Sequence, residues 1–199
     1  MAELTTLTVA RSELILGGQK SGKSRRAEAL AQAWLNQSGK HQVVLIATAR
    51  AGDDEMCQRI ARHQADRLQR LPGVITVEEP LKLAAAIRLH SRPETLIIVD
   101  CLTLWLTNVL MPLQAAPAAL QNGAVEQASL TAQLLQAMAD AKGPLVWVGN
   151  EIGLGVIPMG REVRAFVDAL GLLNQAVAQR CQRVTLMAAG LPLTLKDTQ

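Results

Sequence analysis

The residues best equipped for chemistry are Gly17-Gly18-Gln19-Lys20-Ser21-Gly22-Lys23-Ser24, which spell G-x-x-x-x-G-K-[ST]. Glycines permit the tight turn that converges successive backbone N–H groups on one anion. A helix starting at that point adds the positive end of its dipole. In such a loop Lys23 reaches the β- and γ-phosphates of a nucleoside triphosphate, and the Ser24 hydroxyl ligates Mg²⁺. The pattern has meaning only between a strand and a helix. Here Glu13-Leu14-Ile15-Leu16 reads as the end of an apolar strand, and Arg25 to Leu35 reads as a helix.

A second chemical feature is Asp100, which follows the apolar run Leu96-Ile97-Ile98-Val99. An aspartate at a strand end supports Mg²⁺ in proteins that carry this loop, so Ser24 and Asp100 form the candidate metal pair. A third feature is His63. Arg59, His63, Arg67 and Arg70 recur at i, i+4, i+8 and i+11 and so share one helix face. Two readings fit that spacing. One is a solvated basic face with Asp66 and Arg70 as an i, i+4 pair. The other is a histidine kept neutral by its cationic neighbours, nucleophilic toward phosphorus, with the arginines holding phosphates.

These groups need a scaffold, and the apolar pattern supplies one. Strands are expected at Glu13–Leu16, 42–48, 74–80, 95–100, 144–149 and 183–188. Helices are expected from Gly22 to Asn36, ended by a glycine signal at Ser38-Gly39-Lys40, and at 53–70, 81–89, 102–110, 126–142 and 161–182. Asp53, Asp54 and Glu55 read as the N-terminal acids of the second helix. Cys57, Ile60, Ala61, Ala65 and Leu68 read as its sheet-facing side. Residues 111–124 read as a loop and Leu191–Lys196 as a short tail. Trp105 reads as core. Asn150 to Pro158 reads as a long glycine-containing ligand loop or lid, and Arg161 and Arg164 after it as possible ligand contacts. The alternation predicts an α/β fold with a mostly parallel central sheet covered on both faces; with the Gly17–Ser24 loop in it, the fold is expected to be a P-loop NTPase of RecA-like three-layer form. It also predicts one domain over 1–199, with 1–11 as a loose leader.

Composition narrows the function classes. Of 199 residues, 49% are hydrophobic and 19% charged, which is a globular composition. A net charge of +3 favours anionic substrates without implying nucleic acid. With one Phe, three Trp and no Tyr, the chain lacks the stacking surfaces of a single-strand binder. Cys57, Cys101 and Cys181 form no C-x-x-C, so no zinc site is indicated; unpaired thiols fit a reducing cytoplasm. Met1 to Ser12 has no signal-peptide pattern, and no apolar run approaches the length of a membrane span.

The assembled motifs resemble the bifunctional adenosylcobinamide kinase/adenosylcobinamide-phosphate guanylyltransferases of cobalamin biosynthesis. The stretches that carry the resemblance are Gly17–Arg25; Ile46–Ala49; Asp53–Met56 with Arg59-Ile60 and His63; Thr76–Pro80; Val99–Thr103 with Thr107-Asn108; Asn150–Pro158; Asn174-Gln175; and Gly190-Leu191-Pro192. Val74 stands where relatives often have tryptophan, and Met159-Gly160 where an acid is usual. The resemblance implies that adenosylcobinamide is phosphorylated from ATP or GTP, and that GMP from GTP is then added to adenosylcobinamide phosphate. It implies a guanylyl group carried on His63 and catalysis aided by Lys23. Nucleotide contacts carried over by position fall on Gly17, Gly18, Gln19, Lys20, Ser21, Gly22, Lys23 and Ser24, on Ala47, Thr48 and Ala49, on Gln64, Ala65, Asp66 and Arg67, and on Glu78 and Asp100. A homotrimer is implied as well. Two other classes fit the loop alone: a small-molecule kinase without guanylyl transfer, and a nucleotide-driven regulatory or motor protein. A switch GTPase is disfavoured. No N-K-x-D is present, and the D-x-x-G at Asp168–Gly171 lies inside a helix and out of order.

Overall fold

Apolar side chains alternate along the inner strands so that each of these fills two cores. In the strand Thr95–Asp100, Leu96 and Ile98 enter one core while Ile97 and Val99 enter the other; in the strand Leu145–Val148, Val146 and Val148 oppose Leu145 and Trp147. Period-2 alternation with both sets buried marks a sheet covered on both faces. The computed structural model describes residues 7–52, 54–111 and 123–198. Six strands pair in parallel: β1 (Ser12–Gly17), β2 (Gln42–Ala47), β3 (Ile75–Glu78), β4 (Thr95–Asp100), β5 (Leu145–Val148) and β6 (Arg183–Ala188). A seventh strand, β7 (Leu191–Asp197), runs antiparallel to β6, and the sheet order is β3-β2-β4-β5-β1-β6-β7.

The helices are α1 (Lys23–Gln37), α2 (Asp54–Arg70), α3 (Leu83–His90), α4 (Leu102–Leu110), α5 (Gly123–Ala139) and α6 (Arg161–Arg180). On one face α3, α4, α5 and α6 bury Ile87, Trp105, Leu134 and Leu173 among others. On the other, α1 buries Ala27, Leu30 and Ala31. Trp105 is core, as its position among apolar residues suggests, and its Nε1 donates to the Leu81 carbonyl at 3.0 Å.

Four expectations are revised. Leu191–Lys196 is not a tail but most of β7. Ala189 (φ 51°) and Gly190 (φ 80°) are both left-handed and make the two-residue turn that returns the chain along β6. The 7–11 part of the expected leader is held in place. Ala10 is buried, the Leu145 N–H donates to the Arg11 carbonyl, and the Arg11 guanidinium donates to the carbonyls of Ala141 and Lys142; residues 1–6 lie outside the described residues. α1 ends as expected but without a left-handed glycine. Ser38 is extended, and the His41 ring stacks on Trp34 at 3.7 Å between centroids. Finally, α2 does not pack its small residues on the sheet: Cys57, Ala61 and Ala65 are exposed and Ile60 half-buried, while the Leu68 side chain lies outside the described residues. Polar links hold this helix. Arg70 bonds Glu28 of α1 at 3.1 Å, and Gln64 bonds Glu78 of β3 at 3.1 Å. Asp53 and residues 112–122 lie outside the described residues; α5 starts at Gly123, slightly ahead of the expected boundary.

Candidate nucleotide site

Parallel strands present their carboxyl ends at one edge, where open α/β sheets bind ligands. Register aligns Glu78, Ala47, Asp100 and Val148 across β3, β2, β4 and β5 at that edge. β1 ends there too and continues into Gly17–Ser24.

The loop's backbone explains its glycines. Gly17 has φ 150°, and a Cβ there would lie 2.5 Å from the Met187 carbonyl oxygen, so only glycine fits between β1 and β6. Gly22 has φ 103° and caps α1 without a side-chain bond, and no acid occupies the helix's first turn. The dipole of α1 therefore meets neither a capping side chain nor a first-turn carboxylate, and it favours an anion at that end. Lys23 is buried and its Nζ donates to the Gly18 carbonyl at 2.6 Å, back across the loop. The Ser21 hydroxyl is buried with no partner among the described residues, an orphaned donor inside a phosphate-type cradle. Gln19 and Lys20 are exposed.

The Ser24 hydroxyl donates to Asp100 Oδ2 at 3.4 Å, although 76 residues separate them. A hydroxyl and a carboxylate are the hard oxygen donors that Mg²⁺ accepts beside phosphate oxygens and water, so the pair fits the ion. Thr48 braces Asp100. Its N–H donates to the Asp100 carbonyl at 3.0 Å, and its hydroxyl both receives from the Cys101 N–H at 2.8 Å and donates to the Cys101 carbonyl at 2.7 Å. The Thr48 carbonyl accepts from Asn108 Nδ2 at 2.8 Å. With every polar group of Thr48 engaged and its side chain fully buried, this residue positions its neighbours. Burial, and secondarily the Asp100 charge, pushes the Cys101 thiol up to about 11, so it stays neutral beside the site.

His63 lies on α2, but its side chain and those of Arg59 and Arg67 lie outside the described residues. Of the neighbouring residues, Gln64 meets Glu78, Ala65 is exposed, and Asp66 pairs with Arg70 at 3.8 Å. Arg164 is engaged by the protein itself and donates to the Pro158 and Met159 carbonyls. Sequence reasoning assigned no role to Asn108, Thr103 or Asn174. Asn108 ties α4 to the β2 and β3 exits, since Nδ2 also reaches the Pro80 carbonyl at 3.2 Å. Thr103 and Asn174 hold the two backbone groups of Asn150. The signal for them was polar residues inside otherwise apolar helix stretches.

Comparison with known proteins gives the same direction. The family described as cobinamide kinase / cobinamide phosphate guanyltransferase (CobU) matches residues 13–195. The bifunctional adenosylcobalamin biosynthesis protein CobP of Pseudomonas aeruginosa is 48% identical over 184 residues, covering 92% of this chain and 96% of that protein. CobU of Escherichia coli is 33% identical over 187 residues, covering 92% and 98%. A solved structure, PH0250 of Pyrococcus horikoshii, superposes with a TM-score of 0.53 at 11% identity, covering 98% of this chain and 90% of that one; it bears on the fold alone. The extent of these matches decides the family: the chain belongs to the cobinamide kinase / cobinamide phosphate guanyltransferases.

Proposed function

We propose that this protein performs two successive transfers at phosphorus. In the first, the hydroxyl on the aminopropanol arm of adenosylcobinamide attacks the γ-phosphorus of ATP or GTP. An O–P bond forms, the bond to the β–γ bridging oxygen breaks, the nucleoside diphosphate leaves and the hydroxyl proton passes to solvent. In the second, a ring nitrogen of His63 attacks the α-phosphorus of GTP, a P–N bond forms and pyrophosphate leaves. A phosphate oxygen of adenosylcobinamide phosphate then attacks the same phosphorus. The P–N bond breaks, and adenosylcobinamide-GDP leaves a neutral imidazole behind. Splitting one hard displacement into two easier ones is the value of the histidine.

Gly17–Ser24 holds the phosphates through backbone N–H groups, and Lys23 stabilises the charge that develops on their oxygens. Ser24 and Asp100 would hold Mg²⁺, which supplies charge neutralisation and polarises phosphoryl oxygens when bound. Ala47, Ala49, Glu78 and Gln64–Arg67 are read as the nucleotide's other contacts, with Thr48 acting through its hold on Asp100 and Cys101. The same reading sets the enzyme in the cytoplasm as a homo-oligomer, a trimer by family resemblance.

The family match over residues 13–195 carries this reading, and the Ser24–Asp100 juxtaposition supports it. The test is incubation with GTP labelled at the α-phosphate. An acid-labile, alkali-stable protein adduct is expected, absent in His63→Ala and weakened in Lys23→Ala. No adduct on the wild-type protein sinks guanylyl transfer through histidine and leaves a plain kinase.

A further inference from the structure

β5 lies between β4 and β1 in the sheet, so the chain leaving it emerges between Asp100 and the phosphate loop. Its first residues are bolted down. The Gly149 N–H donates to the Ile15 carbonyl at 3.0 Å, and the Glu151 N–H to the Gly17 carbonyl at 3.1 Å. The Asn150 N–H donates to Thr103 Oγ1 at 2.8 Å, and its carbonyl accepts from Asn174 Nδ2 at 3.1 Å. The far end is gripped by Arg164 through the Pro158 and Met159 carbonyls. A segment fixed at both ends would ordinarily turn its apolar side chains inward. This one turns them out: Ile152, Leu154, Val156, Ile157 and Met159 are all exposed, Val156 and Met159 at 96%.

Scattered exposed apolar residues need no explanation. Five among the eight residues from 152 to 159 make a patch, and patches mark contact surfaces. The patch is also uncharged. Residues 152–160 read Ile-Gly-Leu-Gly-Val-Ile-Pro-Met-Gly, whereas the phosphate loop and its helix carry Lys20, Lys23, Arg25 and Arg26. An anionic nucleotide matches the second surface and not the first. The first suits a ligand that carries no anionic charge, offers apolar groups to pack on and must present a hydroxyl to the transferred phosphate.

We propose that Ile152–Met159 is the docking surface for the acceptor, with Leu154, Val156 and Ile157 against the methyl groups that stand between the amide arms of the corrinoid macrocycle. The hydrogen bond from Glu151 to Gly17 sets the distance between that surface and the phosphate loop. This inference rests on the functional reading above and adds where the acceptor sits. It is continuous with the nucleotide site through that bond, and its neutral, apolar chemistry argues for the macrocycle over a second nucleotide.

The full-length double variant Leu154→Ser/Ile157→Ser tests it, with Leu154→Met/Ile157→Val as the conservative control. Three quantities are compared with wild type: the KM for adenosylcobinamide in the kinase reaction, the amount of GMP adduct formed without acceptor, and the sedimentation coefficient. Loss of uniform acceptor binding raises KM with little change in kcat. The serine variant is expected to raise the acceptor KM about tenfold or more, with adduct formation and sedimentation unchanged and the conservative variant near wild type. An unchanged KM overturns the proposal. So does a changed sedimentation coefficient, which assigns the patch to contact between copies of the chain, and so does loss of the adduct, which assigns it to the nucleotide. A wild-type protein that neither forms the adduct nor phosphorylates adenosylcobinamide removes the functional reading itself, and this inference with it.

Discussion

The Ser24 hydroxyl at the start of α1 and the Asp100 carboxylate at the end of β4 meet at 3.4 Å across the intervening strand β5. Neither element touches the other in sequence. The parallel sheet brings them together because β1 and β4 both end at the same edge. Asp100→Asn keeps the size and the hydrogen bond but removes the charge. The expected outcome is a turnover lower by about 10²-fold or more in both transfers, with a higher Mg²⁺ concentration needed for half-maximal rate. Steady-state assays across a Mg²⁺ titration check it; an unchanged metal requirement would remove Asp100 from the metal pair.

Gly17 and Gly18 are adjacent but not equivalent. A Cβ on Gly17 would meet the Met187 carbonyl oxygen at 2.5 Å, whereas a Cβ on Gly18 meets nothing within 4 Å. Gly17→Ala should lower stability by about 1–3 kcal/mol and weaken GTP binding, because the loop's entry must shift off β6. Gly18→Ala should leave stability nearly unchanged. Denaturant unfolding and nucleotide titration of the two variants give the comparison.

Glu13, near the start of β1, is buried and accepts from Arg26 Nε at 2.7 Å, Thr185 Oγ1 at 2.8 Å and Arg183 at 3.5 Å. Breaking a buried pair strands its partner. Glu13→Ala should cost about 3–5 kcal/mol and loosen α1 from β1. Arg70→Ala removes an ion pair to Glu28 whose arginine is exposed and should cost only up to about 1 kcal/mol in the same melting experiment.

The three thiols should separate by burial. Cys57 is exposed, while Cys101 and Cys181 are buried. Burial pushes the Cys101 thiol up to about 11 and the Cys181 thiol up to about 12. Thiolates are the reactive form. A native chain should therefore titrate as one reactive thiol at pH 8, and as three after denaturation. The sign for stability follows from linkage. With both folded values raised above 9.0, this contribution is whole below pH 9. It falls as pH rises from about 9 toward 11–12, because the unfolded chain ionises first. Melting temperatures across pH 8–11 should decline, and Cys181→Ala should flatten part of that decline.

Local patterns made much of the architecture legible. The strand-loop-helix at Gly17–Ser24, the buried strands at 42–47 and 95–100 and the core position of Trp105 all follow from periodicities of 2 and 3.6 and from glycine placement. The errors were at places where local pattern has no say. Leu191–Lys196 has period-2 leucines, but an exposed edge strand looks like any extended tail until it has a neighbour to pair with. α2 has small apolar residues at helical spacing, yet its position beside the sheet is set by Arg70 to Glu28 and Gln64 to Glu78, contacts between residues far apart in the chain. Arg161 and Arg164 near the start of α6 read as possible ligand contacts, yet Arg164 closes the loop before it.

By itself the sequence determined which groups are available: a phosphate-binding loop, a carboxylate at a strand end, a histidine among arginines and an uncharged apolar loop. Backbone conformation and residue chemistry are local properties, and a motif states them directly. Only the tertiary structure decided which groups meet. The parallel register puts Glu78, Ala47 and Asp100 in one row, Thr48 is entirely occupied in holding the strand ends, and the loop after β5 is fastened to Gly17 with its apolar side chains outward. Those facts depend on long-range pairing, whose free energy is realised only when distant strands are already side by side.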